Sequence, residues 1–120
     1  KKYSLDNREV IVKGFIEETL KTLADKTFSF AIIDTNAYDS LKFALKFIYP
    51  RLSKNGIVAI DDYHKPNDST KSLGTRLAVD EFCRENNLKL ISKPFAHIIK
   101  NWIHFETKYS VYCCWFLKSR

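Results

Sequence analysis

Three aspartates in this sequence stand where apolar runs stop. Asp34 follows FSFAII, and the pair Asp61 and Asp62 follows GIVAI. Asn36 and Tyr38 come soon after the first, so the stretch IIDTNAYDS ends an apolar run in a cluster of oxygen-bearing side chains. Carboxylates brought together repel one another, and a divalent cation relieves that repulsion. An all-oxygen set suits Mg2+, Ca2+ or Mn2+ rather than zinc. The competing account is that each acid caps the helix that follows it. Asp39 or Ser40 can do this for the segment beginning at Tyr38, since Asp and Ser are good N-caps. Capping fits Asp61 and Asp62 poorly, because the polar stretch 64–72 separates them from the next helical pattern.

The elements that must position these acids follow from periodicity. Residues 9–12 are a short β-prone run, and Gly14 permits a tight turn out of it. Phe15, Ile16, Thr19, Leu20 and Leu23 recur at helical spacing, which predicts a helix over 16–23. Residues 28–33 are apolar almost throughout, the pattern of a parallel strand covered on both faces. Leu41, Ala44, Leu45, Ile48 and Tyr49 place a helix over 38–52 with one apolar face. Asn55-Gly56 is a turn signal, and 56–60 is a third strand. Residues 64–72, with Pro66, read as a loop. A helix over 74–85 carries Leu77, Ala78, Glu81 and Phe82 on its apolar side. A strand starts at 88–91, and the aromatic, β-branched tail reads as two strands paired in an antiparallel hairpin.

This order is α/β. A helical crossover between the strands that end in Asp34 and Asp61 makes those strands parallel neighbours. Both acidic ends then lie at one carboxyl edge, where open α/β sheets bind ligands.

The chain has 120 residues, room for a single small domain, and its aromatic content can build a core. No apolar run approaches the ~20 residues of a membrane span, and the first residues lack a signal peptide's apolar stretch. Lys and Arg number 20 against 14 Asp and Glu, but the cations are scattered singly, which fits a solvated surface. Trp102, Trp115, Tyr109 and Tyr112 interleave with lysines, yet aromatics in terminal strands pack sheet faces, so no nucleic-acid partner is expected. His97 and His104 form no metal spacing with any cysteine. Cys83, Cys113 and Cys114 are odd in number and lack a C-x-x-C pattern, so they read as reduced thiols of a cytoplasmic protein.

Four stretches occur in a telling order: GFIEETL (14–20), IIDTNAYDS, YPRLSKNGIVAIDDY (49–63) and GTRLAVDEF (74–82). Together they closely resemble the macrocin O-methyltransferase (TylF-like) family, over residues 10–82. That resemblance implies a Rossmann-like class I methyltransferase sheet, S-adenosylmethionine as methyl donor, Mg2+, and a hydroxylated small-molecule acceptor such as a sugar. It implies Asp34, Asp61 and Asp62 as metal ligands. Catechol-type enzymes of the same fold also use strand-end acids but usually end the second strand in D-N, so D-D-Y favours the macrocin-like group.

Two departures stand out. The family's general base is the second Asp of D-x-D, and here that position is Asn36, whose amide does not accept a proton as a carboxylate does. If the metal acidifies the acceptor hydroxyl, a water or His64, which directly follows D-D-Y and has a side chain that titrates near neutrality, can serve instead, against the plainer account of His64 as an ordinary loop residue. The chain also has only Gly14, Gly56 and Gly74, and nothing resembling the G-x-G-x-G loop that holds the donor. The reading is therefore of a single partial domain over 1–120, the C-terminal part of the fold, with Gly14 and Phe15 left to line the adenine end of the donor. Such a part exposes a sheet edge and is expected to self-associate if it folds alone. The rival expectation is a catalytically impaired remnant or binding module. The helix-surface pairing of Arg76 with Asp80, at i and i+4, is preferred to an acceptor-binding role for Arg76.

Overall fold

A computed structural model describes residues 9–63, 73–91 and 114–118, with the backbone alone for 114–117. Helix α1 (Ile16–Thr19) continues into a 3-10 turn, Leu20–Leu23, so the helix expected over 16–23 is present with a tighter second half. Gly14 stands before it at φ 146°, a conformation that side chains rarely adopt. The Phe15 carbonyl accepts from the Glu18 and Thr19 amides and from Thr19 Oγ1, which closes the first turn.

Strand β1 (Phe28–Ile33), helix α2 (Tyr38–Ile48), strand β2 (Leu52–Ile60), helix α3 (Leu73–Glu85) and strand β3 (Cys114–Leu117) follow. A 3-10 turn, Tyr49–Arg51, carries Pro50 between α2 and β2, where a missing amide donor ends the helix. β1 and β2 pair in parallel, with Ile33 opposite Ile60, and β3 adds antiparallel to β2 to give the order β1-β2-β3. The predicted parallel neighbours and an antiparallel C-terminal strand are therefore present; the rest of the hairpin lies outside the described residues. Register jumps between Phe28, opposite Leu52, and Phe30, opposite Ile57. β2 runs through Asn55 and Gly56, so the turn expected there is an irregularity within the strand, with Asn55 at φ 63°; the strand starts at Leu52 rather than 56, and the helix expected over 38–52 ends at Ile48.

The core forms where the helix stripes meet one sheet face. Leu41, Ala44, Leu45 and Ile48 of α2 and Ala78, Val79, Phe82 and Cys83 of α3 join Ile33, Val58 and Ile60 in one buried cluster. Ile16 and Leu20 of α1 pack against it. Leu41 and Leu45 are fully buried, and each contributes about 1.5–3 kcal/mol relative to exposure. Tyr49 meets Phe82 edge-on at 5.5 Å, tying the end of α2 to α3. Lys118 closes the far side. Its amide donates to the Gly56 carbonyl, its carbonyl accepts from the Asn55 amide, and its Nζ donates to the Pro50 and Leu52 carbonyls.

Four expectations need correction. Residues 9–12 form no strand; Val10 and Ile11 are 82% and 91% exposed in coil, because β-branched residues realise their strand preference only beside a paired neighbour. Among the described residues β1 is covered on one face only: the three described helices pack on the side of Ile33, while Phe30 and Ile32 are 44% and 59% exposed. Leu77 lies off the apolar stripe of α3, which runs through Thr75, Ala78, Val79, Phe82 and Cys83. Residues 88–90 are not a strand, and only Ile91 makes a bridge. Here α3 ends in a Schellman turn, with Asn87 at φ 51° and the Leu88 amide donating to the Cys83 carbonyl.

Candidate active site

Parallel register builds the acidic edge. Because Ile33 faces Ile60, Asp34 and Asp61 are the next residues on adjacent strands, whose axes in a sheet lie about 4.8 Å apart. The Asp61 amide donates to the Ile33 carbonyl at 3.0 Å, which extends the pairing one step past the strands. Asp62 then turns the chain at φ 55°, and its amide donates to Asp61 Oδ1 at 2.9 Å. A non-glycine residue at positive φ is uncommon and marks a turn fixed by its surroundings. Asp34 and Asn36 are exposed, whereas Asp61 and Asp62 are half-buried.

Neither competing cap forms for α2. Its N-cap is Ala37, without a side-chain cap bond. Ser40 instead donates to Glu17 Oε1 at 2.7 Å. That bond holds the Glu17 carboxyl below the ordinary carboxylate range. It also ties the first turn of α1 to that of α2, so Gly14 and Phe15 sit at the same end of the molecule as Asp34.

α3 braces both turns. At Gly74 a Cβ would stand 3.5 Å from the Tyr38 N and Cβ and 3.6 Å from the Asn36 carbonyl oxygen, so the helix start lies against the loop after β1. The Tyr38 hydroxyl donates to Glu81 Oε2 at 2.5 Å, and Lys42 Nζ donates to both the Tyr38 oxygen and Glu81 Oε2. The Lys42 ammonium, followed by the Tyr38 hydroxyl, lowers the Glu81 carboxyl; Glu81 in turn raises Lys42. Tyr63 donates to Asp80 Oδ1 at 2.6 Å, while Arg76 Nε lies 3.4 Å from Asp80 Oδ2. The preferred Arg76–Asp80 pairing is thus present. Sequence periodicity did not reveal the ties of Tyr38 and Tyr63 to α3, because partners 43 and 17 residues apart carry no local signal.

The structure brings Asp34, Asp61 and Asp62 to one edge, and Asn36 follows Asp34 on the loop after β1. His64 lies outside the described residues. Among the described residues no group of three or more His, Cys, Asp or Glu is close enough to share a metal ion. The donor type is that of a hard divalent cation: carboxylate oxygens suit Mg2+, Ca2+ or Mn2+ rather than zinc. No helix among the described residues is long and apolar enough to cross a membrane.

Comparison with known proteins places this edge in context. The structure resembles CalS11, a TDP-rhamnose 3'-O-methyltransferase of calicheamicin biosynthesis, at a TM-score of 0.65 and 22% identity over 97% of this chain and 43% of that one. It resembles the O-methyltransferase NovP at a TM-score of 0.65 and 20% identity, over 97% of this chain and 40% of that one. The chain therefore spans about two fifths of the length of these structures. No curated protein matches it in sequence. The family model for macrocin O-methyltransferase (TylF) matches residues 1–106, and the chain belongs to that family.

Proposed function

We propose that this chain supplies the acceptor and metal side of an O-methyltransferase that methylates a hydroxyl of a sugar or similar small molecule. The observation that carries this reading is the pairing of Ile33 with Ile60, which sets Asp34 and Asp61 side by side at the carboxyl edge. Family membership supports it, and the fold is shared with CalS11, a TDP-rhamnose 3'-O-methyltransferase, and with the O-methyltransferase NovP. In this reading Asp34, Asp61 and Asp62 hold a divalent cation, Mg2+ by donor chemistry. A bound divalent ion lowers the pKa of a hydroxyl it touches. Asp34 and Asn36 are exposed and Asp61 and Asp62 half-buried, and in this reading the acceptor meets the ion beside the Asn36 loop.

The family's methyl donor is S-adenosylmethionine, and Gly14 and Phe15 are the residues here proposed to touch it. The rest of the donor pocket is not formed by the described residues. Asn36 offers the acceptor a hydrogen-bond donor and an acceptor without taking its proton. Proton removal then falls to solvent or to His64. The impaired-remnant reading rests on Asn36 and on the lack of a glycine-rich donor loop in this sequence, while the acid pair argues for a working edge.

The test is divalent binding followed by isothermal titration with Mg2+ and by Mn2+ spin resonance. Asp61→Asn should abolish it, because one of two adjacent carboxylates becomes a neutral amide. Unchanged affinity in Asp61→Asn would remove the pair from the metal site. Methyl transfer to deoxysugar nucleotides, read by mass, should rise on Asn36→Asp; a parent that is equally or more active assigns the base elsewhere.

A further inference from the structure

We infer that Asp80 and Glu81, consecutive residues of α3, act through Tyr63 and Tyr38 as a double clamp that fixes the two acid-bearing turns relative to each other. Each tyrosine belongs to a different turn. Tyr38 lies four residues after Asp34, and Tyr63 directly follows Asp62. Each reaches a different one of two neighbouring carboxylates on the same helix. Consecutive helix positions point about 100° apart, so one short segment of α3 faces α2 on one side and the end of β2 on the other. Gly74 marks a third place of close approach, where an added Cβ would stand 3.5 Å from Tyr38 and 3.6 Å from the Asn36 carbonyl oxygen.

The geometry makes these positioning residues rather than catalytic ones. A Cβ at Gly74 would meet the Tyr38 backbone, yet the Tyr38 hydroxyl meets Glu81, seven positions further along α3. Seven positions are about 10 Å of helix. The hydroxyl therefore leads away from the carboxyl edge, and Lys42 holds it there. The Tyr63 hydroxyl is likewise spent on Asp80, whose other oxygen faces Arg76. Both tyrosine rings pack against the core cluster, so their hydroxyls act at the ends of rigid levers. Any tilt of α3 shifts both turns together, and loss of one tie frees one turn only. A site that needs two turns in register depends on such supports. The catalytic meaning of the clamp rests on the reading proposed above; the clamp itself does not.

The experiment compares Tyr38→Phe, Tyr63→Phe, Asp80→Asn and Asp80→Ala in the full chain, read by amide hydrogen exchange and by Mn2+ affinity. Tyr63→Phe should speed exchange at residues 61–63 several-fold while leaving residues 35–38 unchanged, and Tyr38→Phe should do the reverse. Each should weaken Mn2+ binding about 10-fold, the usual size for loss of a support behind metal ligands. Asp80→Asn, whose amide oxygen still accepts from Tyr63, should behave as the parent, and Asp80→Ala should not. Exchange that is unchanged at both turns, or that rises evenly along α3, overturns the clamp. A parent that binds no Mn2+ refutes the metal assignment instead, and the exchange pattern still decides the clamp.

Discussion

Two glycines of this chain should answer the same substitution with opposite signs. Gly56 sits where β2 leaves its irregular start, and a Cβ there would stand 2.9 Å from the Ser53 carbonyl oxygen and 3.2 Å from Leu52 Cβ. The first contact is with backbone, which cannot swing aside as a side-chain tip does. Forcing a methyl into such a space costs about 1–3 kcal/mol. Restricting the unfolded chain returns about 0.4–1 kcal/mol. Gly56→Ala should therefore destabilise by about 1–2 kcal/mol. At Gly74 the nearest atoms are at 3.5–3.6 Å, ordinary van der Waals distance, and the residue lies in a helix. Alanine is better there by about 0.5–1 kcal/mol. Gly74→Ala should thus stabilise the fold, although α3 starts against the loop that carries Asn36. Urea unfolding followed by far-UV circular dichroism measures both. A Gly56→Ala protein as stable as the parent would mean that the backbone does not fold back on Ser53. A loss of more than about 1 kcal/mol in Gly74→Ala would mean that α3 presses closer on the Asn36 loop than described.

Other outcomes follow from the titrating groups. The Glu81 carboxyl lies below its ordinary value of 4.5, so its contribution to stability is present above that pH and is lost as pH falls through the lowered value. Lys42 is raised above its ordinary value of 10.5, so its contribution holds below that pH and is lost as pH rises through the raised value. Glu81→Gln should flatten the acid limb of a stability–pH curve; an unchanged limb would dissociate Glu81 from it. Burial, with Asp80 nearby, pushes the Cys83 thiol up from 9.0 to about 11. The unfolded chain loses that proton first, so stability should fall between those two pH values, and Cys83→Ser should remove that fall. Native Cys83 should react slowly with thiol reagents at neutral pH, and rapid labelling without unfolding would contradict its burial.

The parts of this fold that sequence made legible are those with a repeating signal. The stripe Leu41, Ala44, Leu45 and Ile48 has the helical period, and each of these residues is buried. The acids after Ile33 and Ile60 were legible because strand ends and polarity change coincide there. The strand expected at 9–12 failed because propensity belongs to a pairing, which single-chain periodicity cannot supply. Leu77 misled because hydrophobicity alone does not tell which of two adjacent helical stripes meets the core. The braces from Tyr38 to Glu81 and from Tyr63 to Asp80 were hidden for another reason. Each depends on the angle at which α3 crosses its neighbours, a product of packing rather than of any local pattern.

Lys118 bears on the order in which the molecule assembles. Its ammonium joins carbonyls 68 and 66 residues earlier in the chain, at Pro50 and Leu52. The β1–α2–β2 unit, by contrast, closes within residues 28–60. Contacts across long separations carry a larger loop-closure cost and form after local ones have lowered it. Docking of β3 should then follow the rate-limiting step. Lys118→Met should speed unfolding while barely slowing folding, whereas Leu45→Ala should slow folding. The opposite pattern would make the C-terminal strand part of the nucleus, with the parallel pair β1–β2 templated on it.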